Sequence, residues 1–250
     1  MKIGILGSGD VGRKLGDGFI ELGHTVKIGT RNPSQEKIVE WISKHKGGGS
    51  GSGREREREG EKETPSSVAT ETTTTTTTAA APVSAGSFAE SASFGELIVL
   101  ATPWEGASNA IKMADPKNFA GKVVIDVTNP LDFSKGMPPQ LAVGHTDSAG
   151  EIVQRLLPDA KVVKAFNIVG NPHMVHPDFP QGGPPTMFIC GNDEEAKKIV
   201  TDNILTKFGW ETIDIGGIEG ARLLEPLAML WIIYYFKTNT GNHAFKLLRK

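Results

Sequence analysis

A glycine-rich turn near the start of the chain constrains the fold more than any other feature. The segment KIGILGSGDVG is a short apolar run followed by Gly-x-Gly-x-x-Gly, and residues 11–23 then have helical spacing. This motif binds a dinucleotide when a strand precedes it and a helix follows it. Gly7 then permits the tight turn, Gly9 admits the pyrophosphate and Gly12 lets helix and strand pack. With Ser8, Asp10 and Val11 between them, these residues form the predicted phosphate site at a helix N-terminus.

Strand-like and helical segments alternate along most of the chain. We expect further strands at 24–30, 96–104, 122–130, 160–167, 186–191 and 211–216, and helices at 105–115, 148–158, 193–209 and from about 219. Such alternation predicts a mainly parallel sheet that helices cover on both faces, an α/β fold of the doubly wound Rossmann type. We expect a nucleotide-binding domain at 1–168 and a small C-terminal α/β region at 169–250 that completes the substrate cleft.

One segment interrupts the pattern. Residues 47–82 contain a glycine-serine start, an alternating Arg/Glu run and a threonine tract, with almost no large apolar residue. Such a composition buries too little apolar surface to offset its ordering entropy, so we expect a disordered insertion at about 47–80. The alternatives for its Arg/Glu run are a charge-paired helical arm and a nucleic-acid contact, and the near-cancelling charges disfavour the latter.

Charge and composition narrow the class of protein. The net charge is −2 at pH 7, which gives no basic field for nucleic acid or an anionic membrane. The single cysteine, Cys190, lies in an apolar run and is expected to be an inert core thiol in a reducing compartment. The longest apolar run, 223–236, is interrupted by Glu225 and Pro226 and is shorter than the roughly 20 residues of a membrane span. We therefore expect a soluble cytoplasmic protein.

The end of the second strand indicates which dinucleotide binds. In NAD-binding chains, an acidic residue about 20 residues after the glycine motif accepts a hydrogen bond from the ribose 2′-OH. In NADP-binding chains, an Arg near this position accommodates the 2′-phosphate. Here the sequence is KIGTRNP, in which Thr30 offers a hydroxyl, Arg31 a guanidinium and Asn32 another donor. Lys37 either adds charge one helical turn later or is a solvated helix residue. The sequence predicts NADP(H).

Three other strand ends are candidates for the nicotinamide and second-substrate sites. In open α/β sheets, ligands bind outside the carboxyl ends of the strands. These ends carry Thr102-Pro103-Trp104, Thr128-Asn129-Pro130 and Asn167. Because Pro and Asn are common turn residues, ordinary turn chemistry is an equally good explanation for each.

Several segments resemble one known family. They are GILGSGDVGRKL, GHTVKIGTRNP, ELIVLATPW, VVIDVTNPL, KVVKAFN, CGNDEEAKK and EPLAMLW with AFKLLR. Together they resemble the NADP oxidoreductases that use the 8-hydroxy-5-deazaflavin coenzyme F420, over nearly the whole chain except about 47–80. They are also similar to the NADPH-binding domain of the six-transmembrane metalloreductases.

The resemblance implies hydride transfer between NADP(H) and a deazaflavin or flavin ring stacked in the cleft. It places the pyrophosphate on 7–12, the 2′-phosphate on Thr30 and Arg31, and the nicotinamide along 102–104. Direct hydride transfer relies on proximity and stacking rather than on side-chain chemistry, so no catalytic residue is assigned. The alternatives are an NADPH-dependent reductase of a small C=N or C=O substrate or of a metal chelate, and a non-catalytic NADPH sensor.

The remaining polar and aromatic candidates are given structural roles. His173 and His176 lack neighbouring Cys or acidic ligands except Asp178, so we expect a surface loop and no metal. The C-terminal aromatics Trp231, Tyr234 and Tyr235 are expected in the core or a dimer contact, with a lid over the second cofactor as the alternative. A homodimer through the C-terminal helix is an arrangement that the sequence allows.

Overall fold

The computed structural model describes residues 1–46, 83–180 and 182–250. The insertion predicted at about 47–80 therefore lies outside the described residues. Within them, the strands of the main sheet are β1 Lys2–Leu6, β2 Thr25–Gly29, β3 Val83–Gly86, β4 Leu97–Leu100, β5 Val123–Asp126, β8 Lys161–Lys164, β9 Thr186–Gly191 and β10 Glu211–Asp214. The short strands β6 Leu131–Asp132 and β7 Gln140–Leu141 form a separate antiparallel pair.

The helices cover the sheet. Their bounds are α1 Asp10–Glu21, α2 Glu36–Lys46, α3 Phe88–Phe94, α4 Trp104–Met113, α5 Ala149–Leu156, α6 Glu194–Val200, α7 Thr206–Phe208 and α8 Ala221–Thr238. The helix predicted at 193–209 comprises α6, a π-helical turn at Thr201–Leu205 and α7, and it ends at Gly209, whose φ is +96°. In the described parts of the chain, no helix has the length and hydrophobicity needed to cross a bilayer.

The main sheet has the order β10-β9-β8-β5-β4-β1-β2-β3. All neighbouring pairs are parallel except β8 and β9, which are antiparallel. The predicted Rossmann-type, mainly parallel fold is thus confirmed. The chain passes from β1 out to β3 and then crosses to β4 on the other side of β1, which creates the topological switch point where such sheets bind ligands.

The central strands are buried on both faces, which explains why their sequences are continuous apolar runs. The β4 residues 97–100 and the β5 residues 123–126 are buried throughout, because helices cover both faces of a parallel sheet. On one face, Leu15 and Phe19 of α1 are fully buried against it. The strands predicted at 96–104, 122–130 and 160–167 are shorter in the structure, since their last residues leave the sheet at its carboxyl edge.

Candidate functional site

A cleft of about 660 Å³ lies at the carboxyl ends of β1, β2 and β4. It brings together three groups of predicted residues, namely 7–9, 30–32 and 102–103. Sequence reasoning missed other parts of its wall, which come from α2, α3, α4 and the turns that precede them. These are Gln35, Phe88, Ala101, Glu105, Gly106, Asn109 and Ala110. The cleft therefore coincides with the switch point of the sheet.

The glycine turn has the shape of a phosphate cradle. Gly7 has φ +129°, and a Cβ there would lie 2.4 Å from the carbonyl oxygen of Ala101. A Cβ on Gly12 would lie 2.1 Å from the carbonyl oxygen of Gly7, so helix and turn pack without side chains. Around Gly9, by contrast, a Cβ would meet no atom of the described residues within 4 Å, and none of their side chains caps α1. The first amides of α1 thus remain available to an anion.

Asp10 and Val11 support the turn from outside the cleft lining. Asp10 is exposed at the first residue of α1 and forms an ion pair with Arg13. Arg13 also donates to the carbonyl oxygen of Ser8 at 2.9 Å. Val11 packs against the hydrophobic core. These contacts hold the turn in place, and Ser8 and Gly9 of the turn line the cleft.

The end of β2 forms a polar corner of the cleft. Ser8 Oγ donates to Thr30 Oγ1 at 3.2 Å, and the backbone N–H of Asn32 donates to the same oxygen at 3.3 Å. Thr30 is buried, whereas Arg31 and Asn32 are exposed. Arg31 contributes a guanidinium to the cleft wall. Lys37, in the first turn of α2, lies outside the lining.

On the other side of the cleft, Thr102 has an unpaired hydroxyl. Its Oγ1 is buried and has no hydrogen-bond partner in the described residues, although Thr102 and Pro103 line the cleft. Trp104 begins α4 and lies outside the lining, so this residue is at the start of a helix rather than at a strand end. An unpaired buried hydroxyl is costly unless a partner completes it, so Thr102 is a candidate ligand contact on this side of the cleft.

Asn129 and Asn167 bind each other. Asn129 Nδ2 donates to the carbonyl oxygen of Asn167 at 2.7 Å, and Asn167 Nδ2 donates to Asn129 Oδ1 at 3.0 Å. Asn167 also donates to the carbonyl oxygen of Leu224 on α8 at 3.0 Å. Both asparagines lie outside the lining of the cleft, beyond the ends of β5 and β8.

A buried ionic cluster next to these asparagines was missed by sequence reasoning. Lys164 Nζ lies 2.9 Å from both Asp126 Oδ2 and Glu225 Oε1, and all three side chains are at most 1% exposed. Burial alone would lower the pKa of Lys164, but the two carboxylates outweigh it and raise that pKa. Charged residues within the apolar runs VVIDV, KVVKAF and LLEPLAML were the available signal.

The other polar candidates have separate partners. His173 Nε2 contacts Asn242 Oδ1 at 3.1 Å, and His176 Nε2 contacts Glu21 Oε2 at 2.8 Å. Cys190 is buried as expected, and burial raises the pKa of its thiol to about 12. Trp231 stacks on His243, with ring centroids 4.4 Å apart.

Comparison with known proteins shows the family to which the chain is related. A match to the family described as "NADP oxidoreductase coenzyme F420-dependent" covers residues 2–130. An F420-dependent NADP reductase of Methanocaldococcus jannaschii is 34% identical over 156 residues, which are 61% of this chain and 69% of that protein. Metalloreductase STEAP3 of Rattus norvegicus is 28% identical over 232 residues, which are 92% of this chain but only 37% of that protein.

A solved structure is similar over its full length. It comes from Arthrobacter sp. FB24 and is provisionally described as an F420-dependent NADP reductase; it superposes with a TM-score of 0.81 at 35% identity and covers 100% of both chains. The family match spans the glycine turn, the Thr30–Asn32 corner and the strand ends at 102 and 129. The chain belongs to the coenzyme F420-dependent NADP oxidoreductase family.

Proposed function

We propose that this NADP-dependent oxidoreductase transfers hydride between NADP(H) and a deazaflavin coenzyme of the F420 type. The observation that carries the proposal is the cleft at the switch point, which has a phosphate cradle at one end and an unpaired hydroxyl at the other. NADPH held in the cleft would supply a hydride from C4 of its nicotinamide, and a deazaflavin acceptor would take up that hydride together with a proton from solvent. The protein then has to bind the two reactants, orient them towards each other and exclude water from the site.

The cofactor half of the proposal assigns roles along the cleft. The turn 7–12 holds the pyrophosphate through the free amides of α1. Thr30, Arg31 and Asn32 hold the 2′-phosphate, and Lys37 contributes at longer range. Thr102 and Pro103 contact the nicotinamide, with Trp104 behind them in α4.

The acceptor half places the deazaflavin beyond the ends of β5 and β8. Asn129, Asn167 and the nearby part of α8 are the proposed walls of that site. In this proposal the Rossmann domain ends at 168, and residues 169–250 complete the acceptor side of the substrate site through α8, while their strands β9 and β10 extend the same sheet.

A ferric chelate, reduced through a flavin, is a second candidate acceptor. The similarity to metalloreductase STEAP3 over 92% of this chain favours it. A flavin accepts a hydride from NADPH and releases electrons singly, as one-electron reduction of a metal requires.

The test is an oxidation assay with purified protein. NADPH is mixed in turn with F420, FMN, FMN plus a ferric chelate, and a cyclic imine, while absorbance at 340 nm is followed. Oxidation with F420 alone supports the proposal, and oxidation only with the chelate mixture supports the second candidate. Turnover of the imine alone contradicts both, and tight NADPH binding without turnover of any acceptor indicates a sensor.

We also propose that α8 forms a homodimer contact. Leu223, Leu230 and Tyr234 are at least half exposed and recur at spacings of seven and four residues, as in a helix–helix seam. Light scattering should give the mass of two chains, and Leu230→Glu should give one. Leu248→Glu, which changes an exposed leucine on the C-terminal tail, should leave the mass unchanged; a monomeric wild type refutes the contact.

A further inference from the structure

We propose that Lys164 is a positioning residue for hydride transfer, because it locks α8 and the ends of β5 and β8 into one unit beside the acceptor site. The acceptor site is that of the proposed function, on which this inference rests. Lys164 itself is fully buried and lies outside the cleft lining, so it acts through its neighbours.

Lys164 has a complete set of hydrogen-bond acceptors. Its ammonium group donates to Asp126 Oδ2 at 2.9 Å and to the carbonyl oxygen of Thr128 at 2.6 Å, and its third neighbour is Glu225 Oε1 at 2.9 Å. Three protons thus meet three oxygens. Asp126 Oδ1 in turn accepts from the backbone N–H and the hydroxyl of Thr128, at 2.9 and 2.7 Å. The turn that leaves β5 is therefore fixed from both sides.

Glu225 extends the cluster to α5 and α8. Its two carboxylate oxygens accept from the backbone N–H groups of Ala149 and Gly150, at 2.9 and 3.0 Å. These are the first amides of α5, so a side chain of α8 binds the N-terminus of a neighbouring helix. The helices are close here, since a Cβ on Gly150 would lie 2.8 Å from that of Ala221.

The ends of β5 and β8 also meet α8 at a second group of hydrogen bonds, beside the proposed acceptor site. There Asn129 follows β5, Asn167 follows β8 and the carbonyl of Leu224 belongs to α8, and the three are joined by hydrogen bonds. Lys164 and Asn167 are three residues apart on one chain segment, as are Asp126 and Asn129. A shift of the ionic cluster is therefore transmitted directly to the asparagine pair.

An apolar helix needs such a lock if it is to form a defined wall. Hydrophobic contact is non-directional, and α8 packs on the sheet with small and aliphatic side chains, so burial alone leaves its position loosely specified. A satisfied buried polar network specifies one arrangement. Hydride transfer requires reacting atoms about 3–3.5 Å apart, and a displacement of about 1 Å costs roughly 100-fold in rate.

The protein offers a matched control for the substitution Lys164→Met. Lys197 is also a buried, doubly paired lysine, 2.6 Å from Asp214 of β10 and 2.8 Å from Glu194, but it lies on α6, away from the cleft. Both Lys164→Met and Lys197→Met should lower the melting temperature. Only Lys164→Met should slow single-turnover hydride transfer from NADPH to F420, by about tenfold or more, with the dissociation constant of NADPH nearly unchanged.

Two outcomes overturn the inference, and a second variant covers the case in which Lys164→Met does not fold. Loss of stability in both variants with equal hydride-transfer rates overturns it. Lys164→Met leaves the carboxylates of Asp126 and Glu225 buried without a cationic partner and could prevent folding. In that case a triple variant that also carries Asp126→Asn and Glu225→Gln removes both charges. The same comparison of hydride-transfer rates then applies to the triple variant. A return to the wild-type rate in the triple variant overturns the inference as well.

Hydrogen exchange separates this inference from the proposed function. If the wild type transfers no hydride to F420, the proposed acceptor is wrong, whereas the lock is still measurable in NADPH-bound protein. Amides at 127–129, 149–150, 224–225 and 227–228 should then exchange faster in Lys164→Met than in the wild type or Lys197→Met. Equal exchange in all three proteins refutes the lock.

Discussion

At the scale of single residues, the proposed preference for NADPH rests on a few side chains at the end of β2. Thr30 is buried and fixed by two hydrogen bonds, so it gives the corner its shape. Arg31 is exposed on the cleft wall, where it is free to meet a doubly charged phosphate. A carboxylate at this corner would repel that phosphate, so in the proposed function this pair favours NADPH over NADH.

Removing the guanidinium should therefore weaken one dinucleotide selectively. We expect Arg31→Ala to raise the dissociation constant of NADPH about 10- to 100-fold, the loss of a charge-assisted hydrogen bond, and to leave that of NADH nearly unchanged. Titration by nucleotide fluorescence measures both. Lys44→Ala removes an equal charge from the exposed face of α2 and should change neither; an equal loss for both dinucleotides in Arg31→Ala contradicts the assignment.

Cys190 should be chemically silent in the folded protein. Its thiol is buried, and its pKa of about 12 leaves almost no thiolate near pH 8. We expect no labelling by iodoacetamide over hours under native conditions and stoichiometric labelling in denaturant, followed by mass spectrometry. Rapid labelling of the native protein would show that the end of β9 opens locally.

At the scale of elements, α1 and α2 form a clamped pair behind the cleft. Asp17 of α1 accepts from Trp41 Nε1 at 2.6 Å and contacts His45 Nε2 at 2.8 Å, both on α2. The indole covers Gly16, where a Cβ would lie 2.8 Å from the ring. Because α2 begins shortly after the Thr30–Asn32 corner, this clamp helps to hold that corner, the proposed 2′-phosphate site, beside the glycine turn.

The clamp should contribute measurably to stability. Asp17→Ala leaves the nearly buried Trp41 N–H without an acceptor, and we expect the free energy of unfolding to fall by about 1–3 kcal/mol. Asp17→Asn keeps an acceptor oxygen and should recover most of that loss. Urea denaturation measures the three proteins, and equal stability of the alanine variant and the wild type would show that the contact is dispensable.

The sequence predicts some elements of the site well and others poorly. The turn 7–12 and the corner 30–32 were predicted because their spacing within one β-α-β unit is local. Phe88, Glu105 and Asn109 were not, because their place in the cleft depends on how separate elements pack. The ionic cluster was missed for the same reason, since Lys164 lies 38 residues from Asp126 and pairs only in the folded sheet.

At the scale of the whole molecule, stability should depend on pH in two windows. Burial, the N-terminal amine and Lys207 lower the pKa of His24 below 6.5 in the folded protein. As pH falls, His24 is therefore protonated in the unfolded chain before it is protonated in the folded protein. The free energy of unfolding should thus decrease as pH falls through about 6.5. Arg222 lowers the pKa of Glu151 below 4.5, so its contribution is present above that value and lost as pH falls further.

Urea titrations at several pH values test both windows. His24→Gln should flatten the dependence near pH 6.5 without affecting the acidic limb, and Glu151→Gln should reduce the acidic limb only. Unchanged slopes in either variant would assign that window to other groups.

Because β8 and β9 are antiparallel, the strands after β8 end at the opposite edge of the sheet from the earlier strands. Since β9 and β10 run against the other strands, their carboxyl ends and the start of α6 lie at the edge opposite the cleft, where Lys161 pairs with Asp193. That edge is suited to attachment. With Cys190 unreactive, a single Glu195→Cys substitution on exposed α6 would give one handle for coupling the enzyme to an electrode or bead with the cleft facing outward.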